Sequence, residues 1–202
     1  FSQGMAGIFP KNNVRNGNDM VVAFEHNNQV DLEEKLLILK NGLDLFKEIF
    51  GKESLSAISC NYVWSTEAED VYYNNGVQLI QSSKAQLIPK GNYQGFDKVY
   101  HFTGQKNHLG QYYSVRNVLF EPSYNQNKDW VSTAMSQIKT AFLCKKPAII
   151  SSHRMNYCGG LSMKNRDESL KKLDQLIYNI KKNWPDIDFC TSDSFYLKYL
   201  QK

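Results

Sequence analysis

The feature that most constrains the fold is an alternation between helical periodicity and short apolar runs. Three long segments repeat apolar residues every three or four positions, which predicts helices over about 31–50, 128–144 and 166–184. Shorter helices are predicted over about 67–74 and 195–200. Because apolar runs separate these segments, the alternation favours an α/β fold with mostly parallel strands and crossover helices.

The apolar runs are short, and several do not alternate with polar residues, which is typical of strands buried on both faces. We predict strands over 20–24, 56–60, 77–80, 112–120, 148–151 and 187–190. For the first long helix, Asp31 followed by Glu34 predicts a capping box, and Gly51 is a predicted C-cap. Residues 1–18 are predicted to be irregular because they are rich in glycine and asparagine.

The 202 residues, 42% of them hydrophobic, are enough for one sizeable core. No linker rich in proline, glycine and serine divides the sequence, so we predict a single domain over residues 1–202. Residues 84–110 are rich in glycine, asparagine, glutamine and aromatic residues, and they predict a long surface excursion that could cover a site.

The net charge and the cysteines indicate which partners and which cellular compartment to expect. The net charge of +4 arises from 24 basic and 20 acidic residues that are scattered, so no nucleic-acid partner is predicted. No apolar run approaches the roughly 20 residues of a membrane span. Cys60, Cys144, Cys158 and Cys190 are predicted to be separate, mostly buried thiols. Free thiols slightly favour a cytoplasmic over a periplasmic location, and the oligomeric state stays open.

Polar and aromatic residues follow several of the predicted strands. In parallel α/β folds, ligands bind at the carboxyl ends of the strands, so these residues are predicted to share one site. The candidates are Asn61, Tyr62, Trp64, Arg116, Glu121, His153, Arg154, Asn156, Tyr157 and Asp193.

Each candidate has a plainer alternative. His153 could transfer a proton, with Glu121 or Asp193 as its carboxylate partner, or it could be a structural histidine. The two arginines could bind sugar hydroxyls or a carboxylate, or pair with a structural aspartate. The aromatic candidates could stack on a sugar ring or belong to the core, and Asp193 could cap the last helix.

Four segments together resemble a bacterial group of polysaccharide deacetylase-like proteins in the glycoside hydrolase/deacetylase barrel superfamily. The most specific segments are 59–65, Ser-Cys-Asn-Tyr-Val-Trp-Ser, and 146–157, Lys-Pro-Ala-Ile-Ile-Ser-Ser-His-Arg-Met-Asn-Tyr. Residues 115–123 and 185–193 are supportive, and the resemblance runs from about Met20 to the C-terminus. It implies a distorted or incomplete (β/α) barrel that hydrolyses N- or O-acetyl groups on a glycan.

By this resemblance, His153 matches the late histidine that protonates the leaving amine, and residues 61–64 match the loop lining the sugar pocket. The well-characterised members hold a divalent metal, often zinc, with one aspartate and two histidines, and a neighbouring aspartate acts as base. This chain has no Asp-Asp pair and no histidine pair at the family's metal spacing, so no metal ligand is assigned to it.

Two explanations of these departures remain open. Part of the protein that carries the metal ligands could precede Phe1, and a zinc site would then be expected with it. Alternatively, the protein has lost the metal and serves as a non-catalytic carbohydrate-binding or cell-surface polysaccharide assembly protein. Under either explanation we expect weak or no deacetylase activity from this polypeptide, with a glycan as its partner.

Overall fold

The chain forms two compact units, and the single domain over residues 1–202 stays a prediction. The computed structural model of the protein describes residues 23–92, 94–160 and 162–201. The first unit comprises the described residues up to 101 together with 105–113, and the second comprises 102–104 and 114–201. The predicted irregular start and most of the predicted strand 20–24 lie outside the described residues, and Ala23 and Phe24 belong to a turn.

The first unit begins with the long helix α1, Gln29–Phe50. Its N-cap is Asn28, whose side chain accepts a hydrogen bond from the Asp31 backbone N–H at 3.0 Å. The predicted capping box at Asp31 is therefore wrong, because the helix begins one turn earlier. The C-cap prediction is confirmed: Gly51 has φ 68°, and its N–H donates to the Lys47 carbonyl at 2.8 Å.

A small three-stranded sheet follows α1. Strand β1, Ser56–Ile58, pairs in parallel with β2, Leu79–Ser82, and helix α2, Thr66–Asn74, is the crossover between them. Strand β5, Tyr112–Val115, completes the order β1-β2-β5. The parallel pairing across a helix confirms the local β-α-β prediction.

The predicted excursion over 84–110 contains regular structure. Strands β3, Ala85–Pro89, and β4, Phe96–Tyr100, form an antiparallel hairpin. Gln86 and His101 from this segment are buried, with 3% and 8% of their surfaces exposed. Part of the segment therefore belongs to the interior of the first unit.

An aromatic-rich cluster forms the core of the first unit, where α2 and the parallel strands meet. Three leucines of α1 pack against it, because the helix places them one or two turns apart on one face. The buried members are Trp64, Ala68, Tyr72, Val77, Ile80 and Tyr113, and the packed leucines are Leu36, Leu39 and Leu43.

The second unit contains β6, Val118–Leu119, in parallel pairing with β7, Ile150–Ser151, and helix α3, Trp130–Leu143, lies between them in sequence. The predicted strand 112–120 is split at Arg116 and Asn117. The Asn117 side chain explains the break, because its Oδ1 accepts from Ile149 N and its Nδ2 donates to the Pro147 carbonyl.

Helix α4, Met163–Asn183, packs on α3, and the chain ends in α5, Ser192–Phe195, followed by a π-helical turn, Tyr196–Leu200. The predicted strand 187–190 is wrong, since these residues have no strand pairing. The core of this unit is formed by Val118, Phe120, Trp130, Val131, Ala134, Ile138, Leu176 and Ile180.

The described residues therefore form a mixed α/β structure with parallel strand pairs, which confirms the coarse fold class. Their strands form one sheet of three strands and two of two strands, not a closed barrel. All four cysteines are exposed free thiols, so the prediction that most are buried is wrong. No helix of residues 23–92, 94–160 or 162–201 has both the length and the hydropathy needed to cross a membrane.

Candidate active site

The second unit brings Glu121 and His153 into direct contact. Phe120 N donates to the Ser151 carbonyl at 2.9 Å, which continues the β6–β7 pairing and aligns the two segments that leave the strands. Glu121 and His153 follow directly, and Glu121 Oε1 lies 2.6 Å from His153 Nδ1. The predicted carboxylate partner of His153 is thus Glu121 in this structure.

The pair differs sharply in exposure. The Glu121 side chain is 13% exposed, whereas the His153 side chain is 70% exposed. The His153 backbone N–H also reaches Glu121 Oε2, at 3.3 Å. A carboxylate that binds one imidazole nitrogen leaves Nε2 as the nitrogen that can exchange a proton with a ligand. This geometry is suited to general acid–base chemistry.

Asn156 lies behind the pair. It ends the 3₁₀ turn Arg154–Asn156 and is 1% exposed. Its Nδ2 donates to Glu121 Oε2 at 2.8 Å, so the carboxylate is held by the buried amide as well as by His153. The sequence predicted a substrate contact for Asn156, and the structure places it beneath the surface.

Tyr157 and Ser152 form a second hydrogen-bonded pair in the same segment, with 2.7 Å between Tyr157 Oη and Ser152 Oγ. Burial raises the pKa of Tyr157, the Ser152 hydrogen bond lowers it, and the charge of Glu121 raises it further. The phenol is partly buried and remains a neutral hydroxyl at neutral pH.

The remaining predicted residues of this unit are more dispersed. Arg116 is partly buried, and its guanidinium donates to Ser151 Oγ at 3.3 Å. Arg154 is exposed at the start of the 3₁₀ turn. Asp193 lies in the first turn of α5, and the side chain that caps this helix is that of Thr191, not that of Asp193.

Asn61, Tyr62 and Trp64 belong to the first unit. Asn61 is exposed and Tyr62 is partly buried, and both have left-handed backbones, with φ of 50° and 61°. Trp64 has no exposed surface, and its Nε1 donates to Glu69 Oε1 at 2.9 Å. For Trp64 the burial corresponds to the core alternative that the sequence left open.

Glu69 organises a polar cluster that the sequence analysis missed. Its carboxylate accepts from Trp64 Nε1, from Tyr113 Oη at 2.7 Å and from Asn107 Nδ2 at 2.9 Å, and the residue is 3% exposed. Burial raises the pKa of Tyr113, and the hydrogen bond to Glu69 and its charge add to this. The signal was present: Glu69 lies one position from Ala68 and three from Tyr72, on the buried side of α2.

His101 packs beside this cluster. Its ring stacks on Tyr113 with centroids 3.7 Å apart, and its Nε2 lies 2.7 Å from Gln86 Oε1. Burial lowers the pKa of His101, while a hydrogen bond with Gln105 and the charge of Glu69 oppose that change. The ring is therefore held in its neutral form inside the first unit.

The described residues do not fit a zinc site. A protein zinc site requires at least three convergent nitrogen, sulfur or oxygen donors. No group of three or more histidine, cysteine, aspartate or glutamate side chains in residues 23–92, 94–160 and 162–201 is arranged to hold a metal ion. The Glu121–His153 pair offers a metal ion only two side chains, and the contact between Glu121 Oε1 and His153 Nδ1 already occupies one atom of each.

Comparison with known proteins does not assign the chain to a class. No protein-family model matches it, and no curated protein matches it.

Proposed function

We propose that this protein acts on an acetylated glycan, with His153 as the proton-transfer residue of an acetyl-group hydrolysis. The observation that carries the proposal is the 2.6 Å contact between Glu121 Oε1 and His153 Nδ1, with the rest of the imidazole exposed. The resemblance of residues 146–157 to polysaccharide deacetylase-like proteins names the reaction class.

The chemistry assigned to the pair is the movement of one proton from the attacking water to the leaving atom. Hydrolysis breaks the bond between the acetyl carbon and the glycan oxygen or nitrogen, and a water oxygen bonds to that carbon. His153 Nε2 accepts the proton that the attacking water releases and then donates it to the leaving atom, which returns the imidazole to its starting state. Glu121 holds Nδ1 and stabilises the positive charge while the imidazole is protonated.

The distorted barrel remains part of this proposal. The parallel pairs β1–β2 and β6–β7 and their crossover helices support it, because a (β/α) barrel is built from such units. A crystal structure in which the β1-β2-β5 sheet and the β6–β7 pair do not join into one curved sheet would contradict the barrel.

The test measures acetate released from acetylated xylo-oligosaccharides and chito-oligosaccharides, at high protein concentration because we expect slow turnover. His153→Gln should lower the rate by roughly 10²–10⁴-fold, the usual contribution of a positioned acid–base group. Glu121→Gln keeps the shape but removes the charge, and it should also lower the rate.

The matched control is His108→Gln. His108 is also an exposed histidine near a glutamate, but its Nδ1 lies 4.0 Å from Glu69 Oε2, beyond hydrogen-bonding distance. It should leave acetate release unchanged. Equal rates in the His153 and His108 variants would contradict the proposal, as would a wild-type protein that binds these glycans and releases no acetate.

A further inference from the structure

Asn156 is the most deeply buried of the candidate residues in the second unit, and both ends of its amide are bonded within the protein. Its Oδ1 accepts from the Ser123 backbone N–H at 2.9 Å. Its Nδ2 donates to Glu121 Oε2 at 2.8 Å and to the His153 carbonyl at 2.7 Å, and reaches Ser152 Oγ at 3.3 Å. With 1% of its surface exposed, the side chain offers no polar atom to a substrate.

These partners fix which way the amide points. Rotating the amide by half a turn would place its NH₂ group against the Ser123 N–H and its oxygen against Glu121 Oε2 and the His153 carbonyl. Every one of those contacts would then join two donors or two acceptors. Asn156 can therefore present only a donor to Glu121.

This orientation restricts the proton that Glu121 and His153 share. Glu121 Oε2 faces two N–H donors, from Asn156 Nδ2 and from the His153 backbone, so a proton on Oε2 would oppose both. The acceptor left for the imidazole is Oε1, at 2.6 Å from Nδ1. A neutral imidazole satisfies this acceptor only when its single proton is on Nδ1.

We infer that Asn156 is a positioning residue that sets the tautomer of His153, with the proton on Nδ1 and the lone pair on the exposed Nε2. Asn156 acts through Glu121 and does not touch the substrate. The reaction that this tautomer serves rests on the proposed function, but the tautomer itself follows from the hydrogen bonds alone.

The first test needs no substrate and no variant at Asn156. The protein has four histidines, so ¹H–¹⁵N correlation spectra of the imidazoles can be assigned by comparison with His153→Gln. In spectra of the neutral ring, which the ¹⁵N shifts of its two nitrogens identify, His153 should carry its proton on Nδ1. Wild-type protein with the proton on Nε2 would overturn the inference.

Two substitutions then test whether Asn156 is the cause. Asn156→Leu removes the donor, and Asn156→Asp places a carboxylate oxygen against Glu121 Oε2 at nearly constant shape. In both, Glu121 loses its fixed orientation, and His153 should shift toward the tautomer with the proton on Nε2. The control is Asn117→Ala, which removes another bridging amide of the same unit without contacting Glu121. Folded variants at Asn156 that keep the wild-type tautomer would overturn the inference.

Acetate release separates this inference from the proposed function. Loss of a residue that orients a metal-binding histidine typically costs about 10–100-fold in activity, and we expect a similar factor for a residue that orients His153. Both Asn156 variants should lower kcat by about that factor with little change in KM, because the substrate contacts remain. If the tautomer depends on Asn156 but wild-type protein releases no acetate, the positioning role holds and the deacetylase proposal fails. A rise in KM with unchanged kcat and an unchanged tautomer would instead show a substrate contact and contradict the inference.

Discussion

Two glutamates, one in each unit, receive similar hydrogen bonds but lie in different surroundings. Glu69 in the first unit is 3% exposed and accepts from Trp64, Tyr113 and Asn107, none of which carries a charge. Glu121 in the second unit accepts from buried Asn156 and contacts His153, which is 70% exposed.

The two carboxylates differ in whether a hydrogen-bond partner can exchange a proton with solvent or with a ligand. Every hydrogen bond of Glu69 ends on a neutral group that does not titrate near neutral pH, so the cluster holds the first unit together. Glu121 joins a buried amide to an imidazole that reaches solvent. Protonation of that imidazole therefore changes the electrostatic interaction at the carboxylate. The exposure of the partner, more than the number of hydrogen bonds, marks the site suited to chemistry.

The largest effect on stability is expected at Trp64. Trp64→Ala should lower the free energy of unfolding by about 3–5 kcal/mol, because it leaves a cavity in the core of the first unit. Trp64→Phe keeps most of the packing and removes one donor to Glu69, which should cost about 1–2 kcal/mol. Urea unfolding followed by circular dichroism measures both.

Trp130→Phe is the matched control for the indole hydrogen bond. The Trp130 Nε1 donates to the backbone carbonyl of exposed Asn125, and water can donate to that carbonyl after the substitution. The loss should therefore be smaller than for Trp64→Phe. If Trp64→Phe and Trp130→Phe lower the free energy of unfolding equally, the hydrogen bond between Trp64 and Glu69 contributes no more than a surface contact.

A second comparison removes each carboxylate in turn. Glu69→Ala leaves three donors without their acceptor inside the first unit and should lower the free energy of unfolding by about 3 kcal/mol. Glu121→Ala leaves one hydrogen of Asn156 Nδ2 without its acceptor, since the other is donated to the His153 carbonyl. Because the His153 ring is exposed to water, the variant should cost about 1 kcal/mol. Denaturant titration of the two variants side by side gives the difference. Similar losses would show that Glu121 is as structural as Glu69.

The smallest effect is a pH dependence of the first unit. Burial lowers the pKa of His101 below the ordinary histidine value of 6.5. As pH falls below 6.5, the unfolded chain binds the proton before the folded chain does, so stability is lost until the folded imidazole also titrates. The slope from this one proton cannot exceed about 1.4 kcal/mol per pH unit. His101→Gln should unfold with a shallower dependence on pH over this range, and slopes equal to those of wild type would contradict the assignment.

Local patterns predicted the helices well. The periodicity over 31–50, 128–144 and 166–184 corresponds to α1, α3 and α4, with ends that differ by no more than three residues. Strands were harder, because a short apolar run has too few residues to establish a period. The run at 187–190 has no strand pairing, and the hairpin β3–β4 lies in a segment with no clear strand pattern.

Local patterns also account for the part of the candidate site that the sequence predicted. Glu121 and His153 each follow a parallel strand, so the rule that ligands bind at strand ends brought both into the candidate set. The rule could not choose between Glu121 and Asp193 as the partner, since that choice depends on which segments pair. It also could not show that Trp64 and Asn156 are buried, because hydrophobic pattern does not fix the depth of a single side chain.

The sequence by itself determined the helices, the α/β class of the described chain and the neighbourhood of His153, because these follow from local periodicity and from residues adjacent along the chain. Only the tertiary structure decided that Glu121 binds His153 and that Asn156 lies beneath both. Those contacts join residues more than thirty positions apart, and they exist because β6 and β7 pair in a fixed register. Hydrogen-bond partners across such a separation are set by packing, which no local pattern encodes.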